Sequence, residues 1–364
     1  MHMSSIALLG PDIDHRRSLE CMLAHAHRVH WIPDSTSAMN ARSPQGVRRL
    51  DRFVHRVGRL VGTFDPAYLR ELSDRMTREQ SDTVIAYWGT EPLADLLAIR
   101  RRLPHVRLVL MVLCFPVALN QTGVARQSWM MRRIMRVLDG VIFPNEAMRD
   151  HFHSAGLLPS AVQVQILPPC WTGAFQSTGD QPPGLARPNV IFTGRTDLSS
   201  STVHAADDLR PLMGQVLDAG IELHHVHSRE TDDGHPLRKP FRPMRQADLI
   251  ASMAQHDASL IAYNTEACER DDRFRLTVPD RLISTVASGV PVAIPEQGYD
   301  GAKQYLQGHG GVLAFRDAQH LRRLLDDRSR VAEARAQSWA QRGQYAAERH
   351  AASLSDFVSS LPRR

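Results

Sequence analysis

Residues 279–295, PDRLISTVASGVPVAIP, constrain the fold of this chain more than any other stretch. Apolar residues recur there at three- and four-residue spacing, as on one face of a helix. They are Leu282, Ile283, Val286 and Ala287. Pro279 suits the first helical turn, Gly289 is an expected helix end, and the apolar run 290–294 between prolines is typical of a central parallel strand. The stretch therefore predicts a helix, a tight turn and a buried strand.

The start of this predicted helix has the chemistry of a phosphate site. The first turn of a helix presents free backbone N–H groups and the positive end of the helix dipole. Arg281 lies in that first turn and adds a fixed positive charge. The sequence therefore predicts that an anionic group, such as a phosphate, binds at this point.

The rest of the chain alternates predicted strands and helices in two halves. Its 364 residues are enough for two domains. Residues 173–188 are dense in Gly, Pro, Ser, Thr and Gln, so they are predicted to be a linker. The pattern predicts two doubly wound, Rossmann-like α/β domains over residues 1–172 and 189–364.

A second phosphate-binding pattern opens the second half. The predicted strand 189–193 is followed by Gly194 and Arg195, and then by a polar, serine-rich run before the next helix. Gly194 allows a ligand to approach the backbone, and the Arg195 guanidinium offers a fork of hydrogen-bond donors. This loop is therefore a candidate diphosphate cradle.

These motifs resemble the donor site of retaining GT-B glycosyltransferases of the family-four type. The matching positions are Pro279, Arg281, Leu282, Ala287, Gly289, Pro291 and Val292, with Gly194-Arg195 as the matching donor loop. The sequence departs from the family pattern in three ways. Arg281 stands where the family has Lys, Ser284 where it usually has a Glu that grips the donor ribose, and the Lys that normally follows Gly194-Arg195 is missing.

The resemblance implies a GT-B fold, in which two domains face a cleft. The first domain would hold the acceptor and the second the nucleotide sugar. A terminal helix over about residues 332–361, which contains the Ser-Trp-x-x-Arg segment typical of the family, would brace the first domain. The implied activity is a hexosyltransferase-like glycosyl transfer from a nucleotide diphosphate sugar to a glycan or lipid-linked acceptor. The resemblance implies retention of configuration, no metal, no cofactor, and a role in cell-envelope polysaccharide biosynthesis.

The resemblance and the strand ends together nominate the site residues. The catalytic candidates are His15, Arg195 and Arg281. The donor-binding candidates are Gly10, Gly194, Arg195, Arg242, Met244, Tyr263, Asn264, Arg281, Leu282 and Ser284. The acceptor-side candidates are Trp88 and Asn120. For His15 an exposed polar position after a helix-capping Asp is the competing interpretation.

Residues 43–62 form a predicted basic amphipathic helix. Apolar residues form a stripe along one face of this helix, and arginines and a histidine occupy much of the rest of its surface. Such a helix can lie on an anionic membrane surface, or it can be an ordinary surface helix that packs on the sheet. The predicted helix at 127–138 is rich in Met and Arg, which core packing and a solvated face explain.

The charge and hydropathy of the sequence indicate which binding partners and which cellular compartment to expect. The net charge is +5, and all but two of the 44 basic residues are arginines. This composition suits phosphates, anionic lipid or nucleic acid, but the arginines interleave with acids, so nucleic acid ranks last. The N-terminus lacks the pattern of a signal peptide, and the longest apolar run, 108–119, is too short to span a bilayer. We therefore expect a cytoplasmic protein, with the inner membrane face as a possible peripheral location.

Metal and disulfide chemistry are not predicted. The four cysteines are scattered without paired spacing. His224, His225 and His227 share a predicted strand, whose alternation puts His224 on the opposite face from the other two. This arrangement does not favour a three-ligand site.

Two other functions remain open from the sequence. One is a non-catalytic GT-B paralogue that binds a partner enzyme or a glycan, which Ser284 and the missing donor-loop Lys favour. The other is an epimerase-type GT-B enzyme that acts on the nucleotide sugar itself, for which no paired set of carboxylates and histidines can be placed.

Overall fold

The structure is a computed structural model that describes residues 4–42, 66–87, 93–194, 205–226 and 234–362. The chain divides into two compact units. Unit 1 comprises Met1–Pro169 and Ala347–Arg364, and unit 2 comprises Cys170–Ala346. The predicted linker 173–188 lies inside unit 2, with a single 3₁₀ turn at Gly173–Phe175.

Unit 1 is built on a six-stranded parallel sheet in the order β2-β1-β3-β4-β5-β6. Its strands are β1 Ser5–Leu9, β2 Arg28–Ile32, β3 Thr83–Tyr87, β4 Arg107–Met111, β5 Gly140–Phe143 and β6 Gln163–Ile166. Its helices are α1 Asp14–Leu23, α2 Ser35–Arg42, α3 Pro66–Arg78, α4 Leu93–Arg102, α5 Gln121–Met135, α6 Glu146–Ser154 and α14 Ala351–Ser360. Every residue of β1, β3, β4 and β5 is buried, as expected of parallel strands covered by helices on both faces.

Unit 2 repeats this architecture with the sheet order β12-β11-β10-β7-β8-β9. Its strands are β7 Asn189–Thr193, β8 Glu222–Val226, β9 Arg238–Phe241, β10 Ala258–Leu260, β11 Val292–Pro295 and β12 Val312–Phe315. Its helices are α7 Arg210–Asp218, α8 Gln246–Met253, α9 Asp272–Leu276, α10 Asp280–Ser288, α11 Asp300–Tyr305, α12 Ala318–Asp326 and α13 Arg328–Gln341. The two parallel sheets with flanking helices confirm the predicted pair of doubly wound α/β domains.

Each sheet has one point at which the strand order reverses. In unit 1 it lies between β1 and β3, where Ile6 pairs with Thr83, and in unit 2 between β7 and β10, where Val190 pairs with Ala258. In open α/β sheets, ligands bind outside the carboxyl ends of the strands at such a point. Both units therefore offer one position where a site is expected.

The stretch at 279–295 folds as α10, a turn and β11. Pro279 is the residue before the helix rather than part of its first turn, with φ −73° and ψ 146°. Gly289 ends α10 in the left-handed region at φ 70°. A Cβ on Gly289 would lie 2.9 Å from the Trp339 ring, so both the backbone angle and the packing require glycine.

The predicted terminal helix is two helices. α13 ends at Gln341 in unit 2, 3₁₀ turns follow at Arg342–Tyr345 and Ala347–His350, and α14 begins at Ala351 in unit 1. The Tyr345 ring, in the first of these turns, packs on Tyr305 and His309, with ring centroids 5.2 and 5.6 Å apart. Across the described residues, no helix is long and apolar enough to cross a membrane.

Candidate functional site

The reversal point of unit 2 brings together the loops that follow β7 and β10. Gly194 comes directly after β7, and Tyr263 and Asn264 follow the end of β10. The Asn264 backbone N–H donates to the Ala206 carbonyl at 2.8 Å, which ties the β10 loop to the segment that leads into α7. The start of α10 supplies the third side of this site, through Arg281.

Arg281 is clamped between two aromatic rings. Its guanidinium carbon lies 4.8 Å from the Phe192 ring centroid and 4.5 Å from that of Tyr263. Its Nη1 donates to the Ala262 carbonyl at 3.4 Å. Within the described residues no carboxylate forms a salt bridge with Arg281, and the residue is half-buried at the start of α10. The clamp holds a positive charge in one place and leaves it without a neutralising partner among those residues.

Gly194 lies against the same clamp. A Cβ at this position would meet the Phe192 ring at 2.8 Å and the Arg281 Nη2 at 3.5 Å. The Gly194 carbonyl is 2.8 Å from Nε2 of His225, which is fully buried and packs on Phe192. Because this glycine keeps its backbone beside the Arg281 guanidinium, a ligand can contact both the backbone and the guanidinium.

Tyr263 is fixed by a second layer of aromatic side chains. The Phe274 ring lies 4.4 Å away between centroids, and the Tyr299 hydroxyl accepts the Tyr263 backbone N–H at 2.7 Å. Burial raises the pKa of Tyr299 to about 12. Burial also raises the pKa of Tyr263, while the neighbouring Arg281 acts in the opposite direction. Both phenols are therefore neutral, so the tyrosines orient Arg281 without offsetting its charge.

Ser284 lies one helical turn beyond Arg281 and is buried. Its hydroxyl oxygen accepts the Trp171 indole N–H at 3.0 Å and a Gln246 amide N–H at 2.9 Å. The position where the family pattern has a carboxylate thus holds a neutral hydroxyl whose oxygen already has two internal donors. Neighbouring Leu282 is fully buried in the hydrophobic core, so its side chain packs in the interior.

The two candidates near β9 lie in a different environment. Arg242 follows this edge strand and its side chain is exposed. Met244 is half-buried against a cluster that includes Ile191 and Val226. Their suggested contact with a nucleotide base stays a prediction.

At the reversal point of unit 1, the side chains of Tyr87 and Trp31 contact the turn that follows β1. A Cβ on Gly10 would meet the Tyr87 ring at 2.8 Å. The Tyr87 hydroxyl donates to the Pro11 carbonyl at 2.6 Å, and the Trp31 indole N–H donates to the Gly10 carbonyl at 2.9 Å. Burial raises the pKa of Tyr87, so this phenol stays protonated. The turn after β1 is satisfied by internal hydrogen bonds.

Of the remaining candidates of unit 1, the structure describes His15 and Asn120. His15 is buried on α1, which contradicts the interpretation of an exposed polar residue. Asn120 is exposed and caps α5, with its side-chain oxygen 2.8 Å from the Gly123 N–H. Trp88, Arg195 and the predicted amphipathic helix 43–62 lie outside the described residues.

The neighbouring histidines have structural roles. His224 stacks on Phe241 and contacts His256, whereas His225 points to Phe192 on the opposite side of β8. In the described part of the chain, no three His, Cys, Asp or Glu side chains lie together in a way that would hold a metal ion.

Sequence reasoning nominated Arg281, Gly194 and Tyr263, which the structure brings together, but it did not nominate the groups that hold them. The Phe192 ring, the Ala262 carbonyl and His225 were not nominated. Strand alternation was a usable signal for Phe192. It lies two residues before Gly194, and residues two apart share one face of a strand. The Ala262 carbonyl had no signal, since a backbone oxygen is the same in every sequence.

Comparisons with known proteins agree on the fold. No family model matches the sequence, and no curated protein matches it. Among solved structures, the chain is similar to sucrose-phosphate synthase from Thermosynechococcus elongatus, with TM-score 0.67 and 12% identity over 98% of this chain and 99% of that one. A glycosyltransferase from Rickettsia africae gives TM-score 0.64 and 9% identity over 100% of both chains. Anabaena HepE, solved in complex with UDP, gives TM-score 0.62 and 13% identity over 99% of this chain and 100% of that one.

At these identities the similarity is one of fold. Two six-stranded parallel sheets, each with flanking helices, match those three structures along nearly the whole chain. The protein therefore has the two-domain GT-B fold.

Proposed function

We propose that unit 2 binds a nucleotide diphosphate sugar through its diphosphate, and that the protein transfers the sugar as a glycosyltransferase. The observation that carries this proposal is Arg281, a cation clamped by Phe192 and Tyr263 at the reversal point of the sheet. The chain's structural similarity to a glycosyltransferase and to HepE, which was solved with UDP, supports the same function.

The geometry suits a diphosphate better than a single carboxylate. A Cβ on Gly194 would lie 3.5 Å from the Arg281 Nη2, so the Gly194 backbone adjoins the guanidinium, and Arg281 lies in the first turn of α10, at the positive end of the helix dipole. Pro279 has no polar side chain that would cap the first turn of α10. Arg195, which follows Gly194 in the sequence, would supply a second cation. Two guanidiniums and a helix start match the charge and length of a pyrophosphate.

The same cations would act in the transfer step. When the bond between the anomeric carbon and the diphosphate breaks, negative charge develops on the leaving oxygen. A positive charge that is already fixed there lowers the barrier without reorganisation. We propose that the transfer is retaining and metal-independent, and that the acceptor is a glycan or lipid-linked sugar of the cell envelope.

Binding and hydrolysis of nucleotide sugars test the proposal. Purified protein is screened by thermal shift and by nucleotide release against UDP-, GDP-, dTDP- and CMP-sugars. We expect one nucleotide class to raise the melting temperature and to be hydrolysed slowly. Arg281→Ala should abolish both effects, because an ionic hydrogen bond of about 1.5–3 kcal/mol is lost.

The matched control is Arg330→Ala. Arg330 is an exposed arginine at the start of α13, so its removal changes the net charge of unit 2 by the same amount. The control should respond to the ligand like the wild-type protein. The absence of a shift with every nucleotide sugar at millimolar concentration would refute the proposal.

Ser284 supports a second candidate, a GT-B protein that binds the nucleotide sugar without transferring it. Its hydroxyl oxygen is occupied by Trp171 and Gln246, so no carboxylate is available one turn after Arg281. This candidate predicts a thermal shift that depends on Arg281, with no nucleotide release above the uncatalysed rate in the presence of glycan or lipid-linked acceptors. Nucleotide release that Arg281→Ala abolishes would exclude it.

A further inference from the structure

The exposed side of α5 in unit 1 carries a tryptophan surrounded by arginines. Trp129 is 48% exposed, and only Val164, at 37%, is another large apolar side chain classed as exposed in the described part of the chain. The Arg133 guanidinium carbon lies 4.7 Å from the Trp129 ring centroid. An indole has an apolar body and a polar N–H, so this surface combines an exposed aromatic ring with positive charge.

The arginines share the face of the helix on which Trp129 lies. Arg126, Trp129, Arg133 and Arg136 follow at three- and four-residue spacing, which places them in one row along the helix. Arg132 flanks the row, and the side chains of Arg126, Arg132 and Arg136 are exposed. With a rise of about 1.5 Å per residue, the row is about 15 Å long.

Carboxylates are absent from this part of the sequence. No Asp or Glu occurs between Asp95 and Asp139, and this segment includes all of α5. Among the described residues, no salt bridge involves Arg126, Arg132 or Arg136. Arg101 and Arg102, both exposed, end α4, the helix that packs against α5. The surface is therefore positive over two adjacent helices.

The opposite side of α5 holds the helix in place. Met130, Met131, Ile134 and Met135 are buried against the rest of unit 1. The row of arginines with Trp129 is thus a preformed surface on a packed helix, and it does not need to fold before it binds.

We propose that this face of α5 docks on an anionic phospholipid surface. Guanidinium groups pair with lipid phosphates, and an indole ring favours the interface between headgroups and acyl chains. Each arginine near an anionic membrane contributes about 1 kcal/mol. Arg133 already covers one face of the Trp129 ring, which leaves less of the ring for stacking on a nucleic-acid base and favours lipid as the partner. The docking surface is independent of Arg281 and of the proposed transfer.

Vesicle binding tests this proposal on the full chain. The protein is mixed with vesicles of phosphatidylcholine and phosphatidylglycerol in equal parts, or of phosphatidylcholine alone, and bound protein is measured by flotation. We expect binding to the anionic vesicles only, weakened by salt because the charges are exposed. Arg126→Glu combined with Arg136→Glu should weaken it at least tenfold, and Trp129→Ala about fivefold, as the lost charge pairs and buried ring imply.

Two matched controls identify the surface. Arg323→Glu combined with Arg330→Glu makes the same charge change at exposed positions of unit 2, and Val164→Ala truncates the other exposed apolar side chain. Both controls should bind anionic vesicles within twofold of wild type. The proposal is wrong if the unit 2 pair weakens binding as much as the α5 pair, if the α5 pair leaves binding unchanged, or if the protein binds RNA but no vesicle.

Discussion

The two units place a glycine and an aromatic ring at the same topological point and use them differently. In unit 1, the Tyr87 ring fills the space beside Gly10, and hydrogen bonds from Tyr87 and Trp31 satisfy the turn carbonyls. In unit 2, Phe192 fills the space beside Gly194 but also forms one side of the Arg281 clamp.

The difference separates a turn that closes on itself from the turn at which we propose a binding site. A strand, a glycine and a close aromatic ring occur in both units, so they do not define a ligand site. Unit 2 adds a fixed cation without a carboxylate partner among the described residues. A pair of glycine substitutions, an acid titration and two truncations test this comparison.

Substitution of the two turn glycines by alanine should give the largest difference in UDP affinity between the two units. In both Gly10→Ala and Gly194→Ala the new Cβ lies 2.8 Å from an aromatic ring, and we expect each to destabilise its unit by about 1–3 kcal/mol. Only Gly194→Ala should also weaken UDP binding, at least tenfold, because it displaces Phe192 from Arg281. Urea unfolding and UDP titration separate the two effects. Equal losses of UDP affinity in both variants would contradict the claim that only the turn of unit 2 contributes to UDP binding.

Acid should destabilise unit 2 through its buried histidines. Burial, with His224 nearby, lowers the pKa of His256 to about 4, and burial does the same for His309. Between pH 6.5 and pH 4 the unfolded chain binds protons that the folded chain does not, so stability falls as pH falls. From pH 7 to pH 5 we expect a loss of about 2 kcal/mol per histidine.

Urea unfolding at the two pH values measures this loss. His256→Leu should reduce this loss by about 2 kcal/mol, and UDP should still raise the unfolding midpoint at both pH values. A wild-type midpoint that does not change between pH 7 and pH 5 would contradict the buried, neutral state of these histidines.

Truncation of the clamp should have a moderate effect. Phe192→Leu removes one of the two rings over Arg281, a contact of about 0.5–2 kcal/mol, so UDP should bind roughly two- to thirtyfold more weakly. Phe241→Leu, which truncates a ring that stacks on His224 outside the clamp, is the matched control. Calorimetry with UDP measures both variants, and an equal effect of the two would argue against a role for the clamp.

Tyr87→Phe should give the smallest change. It removes the hydrogen bond to the Pro11 carbonyl and keeps the ring beside Gly10, so unit 1 should lose about 1 kcal/mol of stability. UDP affinity should be unchanged, because the turn of unit 1 is satisfied internally. Weaker UDP binding in this variant would show that the unit 1 turn contributes to the site.

Sequence reasoning predicted the parts of the site that depend on local pattern. The spacing in 279–295 predicted α10, its end at Gly289 and β11, and Arg281 was located at the helix start. The alternation of strands and helices predicted both sheets. These features depend on residues close together in the chain, where periodicity and turn chemistry are informative.

The parts that sequence reasoning missed depend on contacts between distant residues. The Tyr87 ring beside Gly10 follows from no local pattern. Strand alternation places Phe192 on the same face as Gly194, but it does not indicate that the Phe192 ring covers Arg281. Ser284 was nominated as a donor contact, and the structure shows that its hydroxyl oxygen is occupied by two internal donors. Such contacts are set by the register of the sheet and by the packing of the helices on it.

The most direct test of the central claim is the affinity ratio between UDP and uridine, measured by calorimetry in the wild-type protein and in Arg281→Ala. The two ligands differ only in the diphosphate, so the ratio reports recognition of that group. We predict that the wild-type protein binds UDP at least thirtyfold more tightly than uridine, and that Arg281→Ala reduces this ratio at least tenfold, as expected for the loss of about 1.5–3 kcal/mol. A ratio that is unchanged in Arg281→Ala, in a variant that remains folded, would contradict the assignment of Arg281 as the diphosphate-binding residue.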